Sequence, residues 1–100
     1  MVLERDFKQK FQKELKKRVK PLAILQYKQD VTTVKGFPDT IILGPEAVTV
    51  YIEFKKSKRA KFQPGQKEWG QKLLERNFLY YCVFPENADE VLDELGEILK

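Results

Sequence analysis

Val48, Val50, Ile52 and Phe54 alternate with Thr49, Tyr51, Glu53 and Lys55. Strict alternation is the period of a β-strand, whose successive side chains point to opposite faces. The apolar set needs a covered face, so this segment belongs to a sheet with other structure packed on that side. Glu53 and Lys55 then project together from the opposite face, two residues apart. No histidine occurs anywhere in the chain, which excludes imidazole catalysis and histidine-based metal sites.

The rest of the chain arranges itself around that strand. Phe7, Phe11, Leu15 and Val19 recur every four residues, which predicts a helix over about residues 3–19 with one slowly drifting apolar stripe. Pro21 ends it. Residues 22–28 read as a short strand, residues 29–38 as turn-rich, and Asp39 to Leu43 as a second strand. Gly44-Pro45-Glu46 is a turn signal, so the strand carrying Glu53 returns antiparallel to it. Residues 56–63 form a basic loop. Pro64 suits the first turn of a helix running from Gln66 to about Asn77, with Trp69, Leu73 and Leu74 toward a core. Phe78 to Phe84 reads as a buried strand, and residues 87–99 as a closing helix. The order α-β-β-β-α-β-α predicts an α/β fold with a central mixed sheet flanked by helices. A helical crossover between the third and fourth strands lets them lie parallel. One hundred residues make a single domain, 1–100.

Composition narrows the setting. No apolar run approaches the roughly 20 residues of a membrane-spanning helix, so no membrane partner is expected. The first residues lack the order of a signal peptide. The single Cys82 forbids an internal disulfide and suits a reducing cytoplasm. It sits in a strand pattern and reads as a small core residue. The net charge of +4 is unevenly spread. Eight Lys/Arg lie in residues 1–20, and Lys56, Lys58, Arg59 and Lys61 follow the Glu53/Lys55 strand. Glu86, Asp89, Glu90, Asp93, Glu94 and Glu97 make the C-terminal stretch acidic. Positive charge near Glu53 and negative charge at the far end would orient a polyanion.

The chemistry that fits is phosphodiester hydrolysis. It needs charge neutralisation at the phosphate, a deprotonated water and help for the leaving oxygen. A hard divalent cation such as Mg²⁺ or Mn²⁺ supplies much of this and prefers carboxylate and carbonyl oxygens. Asp39, at the start of one strand, and Glu53, near the end of its antiparallel neighbour, could converge across the hairpin. The backbone carbonyl of Phe54 could add a third oxygen. Lys55 is placed either to orient or deprotonate the attacking water or to stabilise the pentacovalent phosphorus. Taken singly, Glu-x-Lys, Pro-Asp and a first-turn Gln carry little weight; their conjunction is what matters. Tyr51 shares the Glu53 face and either lines a cleft there or packs beneath the first helix. Trp69, at helical spacing with Leu73, reads as core rather than as a base-stacking platform. Lys56, Lys58, Arg59 and Lys61 are candidate phosphate contacts, which add salt-dependent affinity without base selectivity.

Gly36-Phe37-Pro38-Asp39, then Ile52-Glu53-Phe54-Lys55, then Pro64-Gly65-Gln66, resemble the PD-(D/E)XK nuclease superfamily, most closely its VRR-type nuclease (VRR-NUC) branch. That branch occurs as compact stand-alone enzymes of phages and bacteria and as a domain of larger repair nucleases. The resemblance covers roughly residues 4–84. It implies a restriction-endonuclease-like core, Asp39 and Glu53 as metal ligands, Lys55 as the catalytic lysine and Gln66 as a support of the site. It also implies a glutamate on the first helix, assigned to Glu4 because it precedes the apolar stripe, with Glu14 the competitor. The expected activity is that of a metal-dependent DNA endonuclease leaving 5′-phosphates. Branched DNA such as a Holliday junction is the expected substrate and a homodimer the expected assembly. The alternative is a non-catalytic basic module that binds nucleic acid.

Overall fold

The computed structural model describes residues 4–26 and 36–100. Helix α1 spans Glu4–Arg18, strand β1 Ala23–Gln26, β2 Thr40–Leu43, β3 Thr49–Phe54, helix α2 Gln66–Glu75, strand β4 Leu79–Val83 and helix α3 Ala88–Ile98. The expected order of elements is therefore found. Of the expected first strand, residues 27 and 28 lie outside the described residues, as does most of the turn-rich segment after it. Leu22 precedes β1 rather than opening it and is 84% exposed.

The four strands form one sheet in the order β1-β2-β3-β4. β1 with β2 and β2 with β3 are antiparallel, and β3 with β4 is parallel across α2. The connections explain the directions. A tight turn over Pro45–Val48, with Glu46 and Ala47 at left-handed φ of 53° and 65° and the Val48 N–H donating to the Pro45 carbonyl at 3.0 Å, reverses the chain between β2 and β3, whereas a parallel pair needs a crossover, here the loop and α2.

The faces of the sheet differ. Val50, Ile52 and Phe54 of β3, with Ile42 and Val83 beside them, lie under α1 and α3 and form the main core. The predicted stripe of α1 supplies Phe7, Phe11, Leu15 and Val19 to it. The Phe7, Phe11 and Phe54 rings meet edge to face, with Phe11 and Phe54 centroids 5.4 Å apart. The opposite face of β3 carries Tyr51, Glu53 and Lys55, and α2 covers part of it. Gly70 of α2 lies so close to Tyr80 that a Cβ there would meet the ring at 2.8 Å. Tyr51 stands on this side, its ring against Phe37 and Phe78, and so does not pack beneath α1.

Three expectations about burial and charge are corrected. Leu74 of α2 is 55% exposed, because the helix turns only Gly70 and Leu73 fully inward. Phe78 is exposed as well, since it precedes β4. It closes α2 instead. Asn77 takes a left-handed φ of 65°, the Phe78 N–H donates to the Leu73 carbonyl at 3.0 Å and the Asn77 N–H to that of Leu74 at 3.1 Å, a Schellman ending. The acidic C-terminal stretch is not remote from the basic regions. α3 lies beside α1, where Arg18 pairs with Asp93 at 2.5 Å, and Glu86 accepts the Lys58 N–H at 3.4 Å.

A tight approach holds the segment before β2 against the start of α2. Gly36 has φ +83°, and a Cβ there would fall 2.2 Å from the Gly65 carbonyl carbon and 2.6 Å from the Gln66 nitrogen. Both conditions demand glycine. Gly36→Ala should therefore destabilise the protein by at least about 1–3 kcal/mol, read as a lower urea midpoint, and should loosen α2 in hydrogen exchange before α1. Leu15, fully buried between α1, α3 and the sheet, sets the comparison. Leu15→Ala should cost about 2–5 kcal/mol by cavity formation and lower protection throughout.

Candidate active site

Strand register sets up the site. Thr40 pairs with Ile52, Ile41 with Tyr51 and Ile42 with Val50. Continuing that antiparallel register by one residue sets Asp39 opposite Glu53, on the same face. Directly opposed residues have Cβ atoms about 4.5–5.5 Å apart. The sequence suggested that these two acids could converge, and the pairing brings them together at one end of the sheet.

They line a common cavity of about 340 Å³ with Phe54, Lys55, Lys56, Lys61 and Gln66. Lys8, Ala60 and Gln63 complete its wall. Glu53 and Lys55 are both buried, at 4% and 8% exposure, an unusual state for charged side chains unless they are paired or functional. The Lys55 N–H donates to the Val83 carbonyl at 2.8 Å, so the backbone ladder continues past the end of β3 and fixes the lysine's direction. Its Nζ lies 3.9 Å from the centroid of the Phe62 ring, a cation–π contact.

Gln66 is tied into its own loop. Its Oε1 accepts the Gln63 N–H at 2.7 Å, which fastens the chain entering α2 while the residue lines the cavity. The Gly36 approach brings that helix start against the segment leading to Asp39, so Gln66 and Asp39 are held by one contact. Lys56 and Lys61 reach the cavity; Lys58 and Arg59 are exposed but do not line it. Glu4 begins α1, and its side chain lies outside the described residues. Glu14 faces elsewhere. It pairs with Lys17 at 3.0 Å, which holds its carboxyl below the usual carboxylate range, and it borders a different hollow between α1 and α3.

Two participants were not singled out in the sequence. Lys8 of α1 donates to Asp39 Oδ2 at 2.5 Å, and Asp39 Oδ1 accepts the Thr40 hydroxyl at 2.9 Å. The signal available was spacing: Lys8 is one helical turn after Glu4, on a polar row beside the Phe7/Phe11 stripe. Phe62 is the other, an aromatic residue within the basic loop. Cys82 is paired in register with Glu53. Burial pushes its thiol above the ordinary range, Lys55 counteracts this and Glu53 adds to it, so it is poorly suited to act as a nucleophile at neutral pH.

Among the described residues no group of three or more acidic or thiol side chains stands ready to hold a metal ion. The donors that are present nevertheless suit a hard divalent cation. Two carboxylates face one cavity, oxygen donors are what Mg²⁺ and Mn²⁺ prefer, and Asp39 already holds a positive charge in the form of the Lys8 ammonium.

No protein-family model and no curated protein matches the sequence. Solved structures do. One, described as a VRR_NUC domain, superimposes with a TM-score of 0.62 at 24% identity, over 85% of this chain and 92% of that chain. Another, described as a VRR_NUC domain protein, does so with a TM-score of 0.61 at 19% identity, over 97% of this chain and 88% of the other. The α/β architecture, with its four-stranded mixed sheet between helices, is that of a restriction-endonuclease-like core, and this chain has the fold of VRR_NUC domains.

Proposed function

We propose that the protein is a metal-dependent DNA endonuclease. The observation that carries this reading is the convergence of Asp39, Glu53 and Lys55 on one cavity at the end of the sheet, within the fold of VRR_NUC domains. Asp39 and Glu53, with the Phe54 carbonyl, would hold Mg²⁺ or Mn²⁺, which when bound neutralises phosphate charge and acidifies water. Lys55 presents its ammonium to the attacked phosphate, and the surrounding burial strengthens that interaction relative to open water. Water attacks phosphorus in line. A new P–O bond forms, the bond to the 3′ oxygen breaks, that oxygen takes up a proton and a 5′-phosphate remains. Gln66 keeps the α2 entry in place. Lys56 and Lys61 at the cavity, and Lys58 and Arg59 beside it, contact neighbouring phosphates. Glu4 is the preferred first-helix acid, since α1 turns the position one turn later, Lys8, toward Asp39, whereas Glu14 borders another hollow.

Branched DNA such as a Holliday junction is the substrate proposed, cut by a homodimer that offers one site to each of two strands. The free thiol of Cys82 is in keeping with work in a reducing cytoplasm. Among the described residues no helix is long and apolar enough to cross a membrane.

A second reading, a non-catalytic nucleic-acid-binding module, is favoured by the exposed Lys56, Lys58, Arg59 and Lys61. The two readings separate in a cleavage panel of junction, fork, flap, duplex and single-stranded DNA with and without Mn²⁺. Asp39→Ala and Lys55→Ala should each lower cutting at least about 100-fold while largely retaining DNA binding, and Glu53→Gln should do the same. Absence of nicking on every substrate would sink the endonuclease in favour of the binding module.

Lys8 supplies a further check. Its ammonium competes with a divalent cation for Asp39, so Lys8→Ala should tighten Mn²⁺ binding by up to about fivefold in calorimetric titration, the range expected for a partly exposed charge pair. Asp39→Ala should abolish that binding, and Mn²⁺ affinity retained in Asp39→Ala would mean that Asp39 is not a ligand.

A further inference from the structure

A second concavity lies on the same side of the sheet as Glu53. It has a volume of about 410 Å³ and is lined by Phe37, Tyr51, Trp69 and Phe78, with Lys72 and Arg76 of α2. The four rings form a chain of edge-to-face contacts, Trp69–Phe37 at 5.1 Å, Phe37–Tyr51 at 5.8 Å and Tyr51–Phe78 at 5.8 Å. A cluster serving only as core would bury its members. Here Phe78 is 46% exposed, and Tyr51 and Trp69 are only half-buried. The charged groups on the lining are both cationic. Lys72 Nζ stands 5.3 Å from the centre of the Trp69 ring, and Arg76 is braced by donating to the Lys72 carbonyl at 3.1 Å.

Open aromatic surface beside cations on one side is the chemistry of a platform for unpaired bases. Stacking takes up the π-face of the base while the cations take up phosphate. A detached apolar partner would not call for the two charges, and an acidic peptide would not call for four rings. Position agrees with this. Along β3, Tyr51 precedes Glu53 by two residues, about 7 Å, and Phe37 precedes Asp39 by the same two residues. The aromatic cavity therefore adjoins the acidic pair on two neighbouring chain segments. A base seated in it would belong to a nucleotide close to the phosphate that the acids face.

We infer that the cavity between Phe37, Tyr51, Trp69 and Phe78 receives an unpaired nucleobase of the substrate strand, with Lys72 and Arg76 on its phosphate. The inference rests on the proposed nuclease reading only in taking nucleic acid as the ligand. It gives that reading a basis for preferring DNA with an unpaired nucleotide, as at a fork or flap, over a continuous duplex.

Trp69 is the one tryptophan of the chain, so its fluorescence reports on this cavity directly. The full chain is titrated in the presence of a chelator with a single-stranded oligonucleotide, with the same length of abasic strand, and with a perfect duplex. The single strand should quench Trp69, and the abasic strand and the duplex should not. Phe78→Ala and the double variant K72Q/R76Q should each weaken single-strand binding about tenfold, with circular dichroism and urea midpoint showing them folded. Equal quenching by the abasic strand, or none by any strand despite binding in anisotropy, would overturn the proposal. So would a finding that Phe78→Ala leaves binding intact but abolishes a dimer in sedimentation, since a second copy would then cover the rings. Cutting with Mn²⁺ is scored in parallel: quenching without cutting defeats the endonuclease and keeps the base cavity, and cutting without quenching does the reverse.

Discussion

The antiparallel register between β2 and β3 is the constraint on which the rest depends. With Thr40 against Ile52 and Ile42 against Val50, every second residue of β3 is delivered to the core beneath α1 and α3, and the intervening ones to the α2 side. A slip of one residue would exchange the two sets, exposing Ile52 and Phe54 and driving Glu53 and Lys55 into the core. Burial of the apolar set therefore holds the charged set in position. The same register aligns Asp39 with Glu53. Hydrophobic packing on one face and assembly of an acidic pair on the other are thus one structural event.

A second restraint closes the site from the side. Gly36 and Gly65 meet backbone to backbone, which fastens the segment preceding Asp39 to the start of α2. Side chains could not mediate this contact, because no space remains for them. The closeness also sets Phe37 against Trp69 and so joins the acidic cavity to the aromatic one beside it. The two cavities share their supports, Phe37 and Asp39 on one segment, Tyr51 and Glu53 on another, and α2 above both. A change at the aromatic rings would therefore be felt in the placement of the two carboxylates.

Much of this was legible beforehand, and the reasons differ by residue. Phe7, Phe11 and Leu15 declared a helix because their spacing matches its turn, and β3 declared itself by strict alternation. Asp39, Glu53, Lys55 and Gln66 stood out through their order and the turns between them. Lys8 did not, since a lysine on a basic helix looks like any solvated lysine until the fold sets it beside Asp39. Phe62 was hidden similarly: its contact with the Lys55 ammonium is made by a loop without periodicity. Leu74 is exposed despite its apolar character, which alone does not say which side of a short helix meets the sheet. The acidic C-terminal stretch lies close to the basic regions although it is distant in sequence, because linear distance says nothing about α3 folding back beside α1.

Local patterns of period two and period four, with prolines and glycines as breaks, determined the elements, their order and the side of β3 on which Glu53 and Lys55 project. Those properties depend on residues within a few positions of one another, where steric and periodic rules act directly. Which residues meet was decided by tertiary structure alone: Asp39 beside Lys8, Gly36 against Gly65, and four rings from three segments around one hollow. Those contacts join positions far apart in the chain. They exist only because the sheet register and the packing of α1 and α2 on its two faces bring those positions to the same place.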